Sequence, residues 1–179
     1  LSEFLDYINI NPIMKGLLAL LGGKSINLTV FHLPRLSVDF DLDYCSFEKR
    51  EEMLVHRQQI TEDLKKYMQT QGYGLNPQSR SRHSLDSFVF NYVNLGGMRD
   101  NIKVEINYSL RSHLFELDEK SVLSDVIHME HLITVLAPLE LFAAKINASL
   151  SRAAARDLYD TYNMINLRLF SKDEYEMLR

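Results

Sequence analysis

Between residues 35 and 44, apolar and polar side chains alternate without a break. Leu36, Val38, Phe40, Leu42 and Tyr44 fall on one side, and Arg35, Ser37, Asp39, Asp41 and Asp43 on the other. A period of two with one apolar face predicts a strand lying over a core. The same alternation returns over 101–110, with Ile102, Val104, Ile106 and Tyr108 opposite Lys103, Glu105 and Asn107. Together with 86–94 it predicts a hairpin around Gly96-Gly97. The apolar run 17–21 stops at Gly22-Gly23 and fits a buried strand, although its periodicity alone leaves a helix open.

The helical pattern lies elsewhere. Residues 1–16 read as a short helix and turn punctuated by Asn11-Pro12, and 24–32 as a short helix behind the glycines. Residues 47–71 carry Met53, Ile60, Leu64 and Tyr67 on a rough apolar stripe. The Gly, Asn, Pro and Ser of 72–82 mark a loop. From Pro138 the pattern is helical to the end, strengthened by Ala153-Ala154-Ala155. The order predicts an α+β fold, a mixed sheet flanked by helices with a C-terminal helical region. We expect a core over 1–135 and a helical part over 136–179 packed on it.

Composition narrows the class. The chain has 179 residues, 46% hydrophobic and 25% charged, enough for a sizeable core. Cys45 is the single cysteine, so no disulfide forms within the chain, which suits a cytoplasmic setting. No apolar run is long enough for a membrane helix, and no signal peptide is expected. The chain starts at Leu1 and is expected to lack its native ends. A net charge of −4 gives no global attraction for nucleic acid, so any polyanion needs a local basic patch.

The candidate chemistry begins with Asp39 and Asp41. Two apart on a strand, they share a face about 7 Å apart at the backbone. Carboxylates about 5 Å apart repel by roughly 3 kcal/mol at an effective dielectric of about 20, so a fold that keeps them needs an offset. Mg²⁺ supplies one, because it takes hard oxygen ligands and leaves positions for phosphate oxygens. Glu105, on the polar face of a neighbouring strand, is the candidate third ligand. Taken alone, an Asp-x-Asp is more often a solvated sheet edge. The diglycine turn nearby changes the weighing. Gly22 and Gly23 let backbone approach a ligand, and Lys24 and Ser25 add a charge and a hydroxyl at a helix start. This is no Walker loop, because Leu18 stands where its first glycine belongs.

On the late helical segment, Lys145, Ser149, Arg152 and Arg156 share one stripe if the helix is continuous. Asp157 then falls on the apolar side, where it needs a partner: Lys145, an arginine or the nucleotide. Alternatively the helix breaks near Ala155 and Asp157 caps a new one. Asp160 can pair with Arg156 at i, i+4. Other groups point to no chemistry. His128 and His131 lack further metal ligands. Arg80, Arg82 and His83 form a small basic loop that could touch an RNA backbone, with a solvated loop the reading preferred. Cys45 has no base near it in sequence.

In order along the chain stand Gly22-Gly23-Lys24-Ser25-Ile26-Asn27-Leu28, Arg35-Leu36-Ser37-Val38-Asp39-Phe40-Asp41, Lys103-Val104-Glu105-Ile106-Asn107-Tyr108, and Lys145 with Arg152 and Arg156-Asp157-Leu158-Tyr159-Asp160. This set resembles the AbiEii/AbiGii toxin family, a branch of the DNA polymerase β-like nucleotidyltransferases, over residues 13–167. The resemblance implies a Mg²⁺-dependent transfer of NMP from an NTP to a hydroxyl acceptor, either RNA such as tRNA or a protein. It also implies a role in a type IV toxin–antitoxin or abortive-infection system, with a cognate antitoxin. By the resemblance, Asp39, Asp41, Glu105, Lys145 and Asp157 are catalytic. The resemblance likewise implies that Gly22, Gly23, Lys24, Ser25, Arg35, Ser37, Arg152 and Arg156 bind nucleotide. One departure is Lys24, where the family usually carries Thr or Ser. It leaves open a catalytically degenerate module that binds a nucleotide or a partner.

Overall fold

A computed structural model describes residues 2–31, 39–123, 127–152 and 154–177. The elements in order are α1 (Ser2–Ile10), β1 (Leu18–Leu21), α2 (Gly22–Thr29), β2 (Phe40–Tyr44), α3 (Arg50–Thr70), β3 (Gly74–Leu75), β4 (Arg80–Ser81), β5 (Leu85–Val93), β6 (Arg99–Asn107), β7 (Asp118–Lys120), β8 (Ile133–Val135), α4 (Pro138–Arg152), α5 (Ala155–Asn166) and α6 (Lys172–Glu176). The strands form one mixed sheet in the order β3-β5-β6-β2-β1-β8-β7, with β4 also on β5. The β1–β8 and β2–β6 pairs are parallel and the others antiparallel.

The alternation in the chain explains how the sheet is covered. Phe40, Leu42 and Tyr44 of β2, Val104 and Ile106 of β6, and Phe88 and Phe90 of β5 point into one core. Helix α1 closes that core with Phe4, Leu5 and Ile8, and α3 with Met53, Ile60, Leu64 and Met68. Burying these side chains stabilises the fold by roughly 2 kcal/mol each. A second cluster joins Ala19 and Ile26 to Leu141, Phe142 and Met164, so α2, α4 and α5 pack behind β1. The polar face of β2, β5 and β6 is thereby left to line a cleft.

Several boundaries differ from those expected of the sequence. Helix α2 starts at Gly22 rather than at residue 24, because Gly22 takes φ +72° and turns the chain directly into the helix. Strand β2 starts at Phe40, with Asp39 an exposed bend at its threshold. Within the expected loop 72–82, β3 and β4 pair with β5. The late helical segment is three helices, and the break after Arg152 turns α5 against α4.

Candidate active site

Leu21 is paired in register with Asp41, so the diglycine turn sits directly against the acidic strand. A Cβ added to Gly22 would lie 2.5 Å from Asp41 Oδ2. Two constraints therefore require glycine here: the positive φ and this close approach. On the other side of β2, Asp41 pairs in register with Glu105 of β6. Register partners share a face on neighbouring strands about 4.8 Å apart, so the two carboxylates lie side by side.

Helix α4 forms the opposite wall. Lys145 and Arg152 line the same cleft of about 270 Å³ as Gly22, Asp41, Glu105 and Asn107. That is close to the lower end of small-molecule sites. Behind them, α5 supplies two fully buried acids. Asp157 accepts from Arg152 Nε at 2.6 Å, from Arg152 Nη2 at 3.0 Å and from Lys145 Nζ at 3.2 Å. Asp160 Oδ2 lies 3.0 Å from Lys145 Nζ. The sequence alternatives for Asp157 are thus resolved: it holds both the lysine and the arginine. It lies in the first turn of α5, whose N-cap is Ala154. Asp160 pairs with Lys145, because the break before Ala155 turns that face of α5 inward.

The electrostatics of the two walls differ. Burial raises the Asp41 carboxyl above its usual range, and Glu105 and Asp39 raise it further. The Arg152 hydrogen bonds hold Asp157 below the usual carboxylate range, with Lys145 adding to the effect. Asp43 accepts from Asn107 Nδ2 at 2.7 Å, while burial pushes its carboxyl up.

Other expected site residues lie elsewhere. Lys24 is buried, with its Nζ 3.1 Å from the centre of the Phe40 ring. Burial lowers its amine to about 7 against the pull of Asp39 and Asp41. Its amine thus lies over that ring within reach of both acids, and Lys24 is not among the residues that line the cleft. Ser25 is fully buried in α2, also off the cleft, and its hydroxyl has no partner among the described residues. Arg156 is exposed on α5 away from the cleft, because the helix break interrupts the stripe it was expected to share. Arg35 and Ser37 lie outside the described residues.

Among the described residues, no three acid, histidine or cysteine side chains stand gathered as a metal centre. The donor chemistry nevertheless fits a hard divalent cation. Asp41 and Glu105 are adjacent carboxylates, and Asp41 is raised by burial and then by its acidic neighbours. Sequence reasoning named Asp160 as an ion-pair partner but not its contact with Lys145, although its spacing of three from Asp157 puts both on one helix face. It also missed His113, whose Nε2 lies 3.2 Å from Cys45 Sγ. Burial and Asp43 push that thiol up to about 12, so the reading of Cys45 as no nucleophile stands on a different reason.

A mixed sheet bearing an acid pair against a diglycine turn, faced by a lysine and an arginine, defines the nucleotidyltransferase type of fold. The family model described as the nucleotidyl transferase AbiEii toxin of type IV TA systems matches residues 4–179, and the chain belongs to that family. Among solved structures, the nucleotidyltransferase toxin MenT4 from Mycobacterium tuberculosis H37Rv is similar, with a TM-score of 0.63 and 18% identity. The match covers 99% of this chain and 62% of that one, and it shows the shared fold. No curated protein matches the chain. Among the described residues, no helix is long and apolar enough to cross a membrane.

Proposed function

We propose that this chain transfers a nucleoside monophosphate from an NTP to a hydroxyl acceptor, RNA or protein, with Mg²⁺ as cofactor. The observation that carries this reading is the Asp41–Glu105 pair beneath Gly22, facing Lys145 and Arg152 across one cleft. Asp41 and Glu105, joined by Asp39, would hold the ion. Mg²⁺ supplies charge neutralisation and orientation of phosphate oxygens. Lys145, fixed by Asp157 and Asp160, presents a point charge to the triphosphate, and Arg152 presents a planar fork. Gly22 and Gly23 let backbone approach the phosphates. The acceptor oxygen attacks the α-phosphorus, its proton passes to Glu105 or Asp41, and the bond to pyrophosphate breaks. Most of the rate enhancement comes from positioning and charge stabilisation. Family membership supports the further reading of a toxin held by a cognate antitoxin.

A second reading is a module that binds nucleotide or partner without turnover. The buried Lys24 in the glycine turn favours it. Isothermal titration with Mg-NTP, paired with turnover assays on wild type and Asp39→Asn, tests both. Binding and transfer that both weaken in the variant support the enzyme. Binding without transfer in wild type supports the module. Equal binding and equal transfer in the two proteins contradict the assigned ion site.

A further inference from the structure

The acids of β2 already have a cation beside them within the fold. Lys24 lies in the first turn of α2, two residues beyond the glycine that packs on Asp41. It is only 2% exposed, and its Nζ lies 3.1 Å from the centre of the Phe40 ring. Phe40 stands between Asp39 and Asp41 in the chain, and both carboxylates pull on the amine, Asp39 the more strongly. Lys24 therefore meets the acids from within the fold, whereas the cleft lined by Asp41 and Glu105 opens to a ligand.

Keeping a charge in that position is costly. An ammonium taken out of water needs compensation, which the aromatic face and the two carboxylates supply here. Packing alone needs only an apolar stem of similar length, so the charge calls for a reason of its own. Two other cations near the acids are already matched: Lys103 by Glu105 at 2.8 Å, and Lys145 by Asp157 and Asp160 at 3.2 and 3.0 Å. Lys24 is the buried cation that the β2 acids themselves attract.

We infer that Lys24 is the resident counter-ion of the β2 acids, opposing a bare divalent cation and leaving the site to one that arrives with a triphosphate. The inference rests on the ion site proposed above. A divalent cation held by Asp39 and Asp41 shares those carboxylates with the Lys24 ammonium, and the two cations repel. A unit charge about 6 Å from a divalent ion opposes its binding by about tenfold even when screened as in water. A triphosphate carries more negative charge than one such ion neutralises, so Lys24 attracts the complex where it repels the bare ion. Lys24 acts through the acids and is a positioning residue.

The test measures Mn²⁺ binding without nucleotide, by electron paramagnetic resonance of the free ion, at a pH of about 6 where the Lys24 amine carries its charge. Wild type is compared with Lys24→Met, which keeps an apolar stem, and with Lys24→Thr, both checked for folding by thermal melting. Arg156→Ala removes an equal charge away from the cleft. The expected result is Mn²⁺ affinity about tenfold tighter in the folded Lys24 variants and unchanged in Arg156→Ala. Affinity for Mg-NTP, measured by calorimetry, should not rise. Loss of a merely structural side chain does not tighten an ion site. Mn²⁺ affinity equal to or weaker than that of wild type overturns the inference, and so does an equal gain for Mg-NTP. Failure of the ion site itself appears separately, as Mn²⁺ binding that Asp41→Asn leaves unchanged.

Discussion

On the sheet wall, Asp41 and Glu105 stand side by side, and Asp41 is raised by burial and by its acidic neighbours. On the helical wall, Lys145 and Arg152 are held by two fully buried aspartates. The first wall gathers negative charge whose repulsion an incoming cation relieves. The second has its charges matched within the fold before any ligand arrives. On the proposed function, one wall would receive the ion, and the other is a scaffold that fixes the aim of two cations. The contrast can be tested from each side.

The largest effect is expected at the sheet wall. Gly22→Ala puts a Cβ 2.5 Å from Asp41 Oδ2 at a φ of +72°, so the carboxylate must move. The strain costs roughly 1–2 kcal/mol of stability. Misplacement of a reacting group is expected to lower kcat/KM by about 100-fold. Steady-state kinetics and denaturant unfolding read the two effects separately.

On the helical wall, Asp157→Asn should cost roughly 2 kcal/mol at neutral pH. This is below the usual range for a broken buried pair, because Arg152 is half exposed and turns to water. The sign with pH follows from the lowered Asp157 carboxyl. Its contribution is present above the ordinary carboxylate pKa of about 4 and is lost as pH falls through the lower native value. Urea titrations should show wild type and variant converging in acid.

A smaller effect separates Lys24 from the cleft. The folded state releases its proton at about 7, whereas the unfolded chain holds it to about 10.4. Between those values the unfolded state binds more protons, so stability rises with pH. Wild type should gain of order 1 kcal/mol on Lys24→Met between pH 7 and 9, within the ceiling of about 1.4 kcal/mol per pH unit. Melting curves of the two proteins at several pH values check it. The smallest effect is expected for Arg156→Ala, exposed and off the cleft: within about 0.5 kcal/mol in stability and no change in NTP affinity by titration.

Alternation made the central strands legible. The pattern around Asp41 and Glu105 was long enough to fix which face each occupies, and the register then brought them together. Strands β3, β4, β7 and β8 have two or three residues each, too few for a period to show. The helical wall was half legible. Lys145, Arg152 and Asp157 were marked by spacing, but a stripe drawn through Arg156 assumed a continuous helix. The break after Arg152 sends Arg156 outward and Asp160 inward, and that rotation depends on how α5 packs on α4. Cys45 and His113 lie 68 positions apart, a proximity that only the folded sheet creates.

The most direct measurement follows label from the α-phosphate of an NTP into any macromolecular acceptor in a cell extract, with wild type and Asp41→Asn side by side. Transfer by wild type, falling at least about 100-fold in the variant, is the predicted result. Equal incorporation by the two proteins would contradict a catalytic role for the acids beneath the glycine turn.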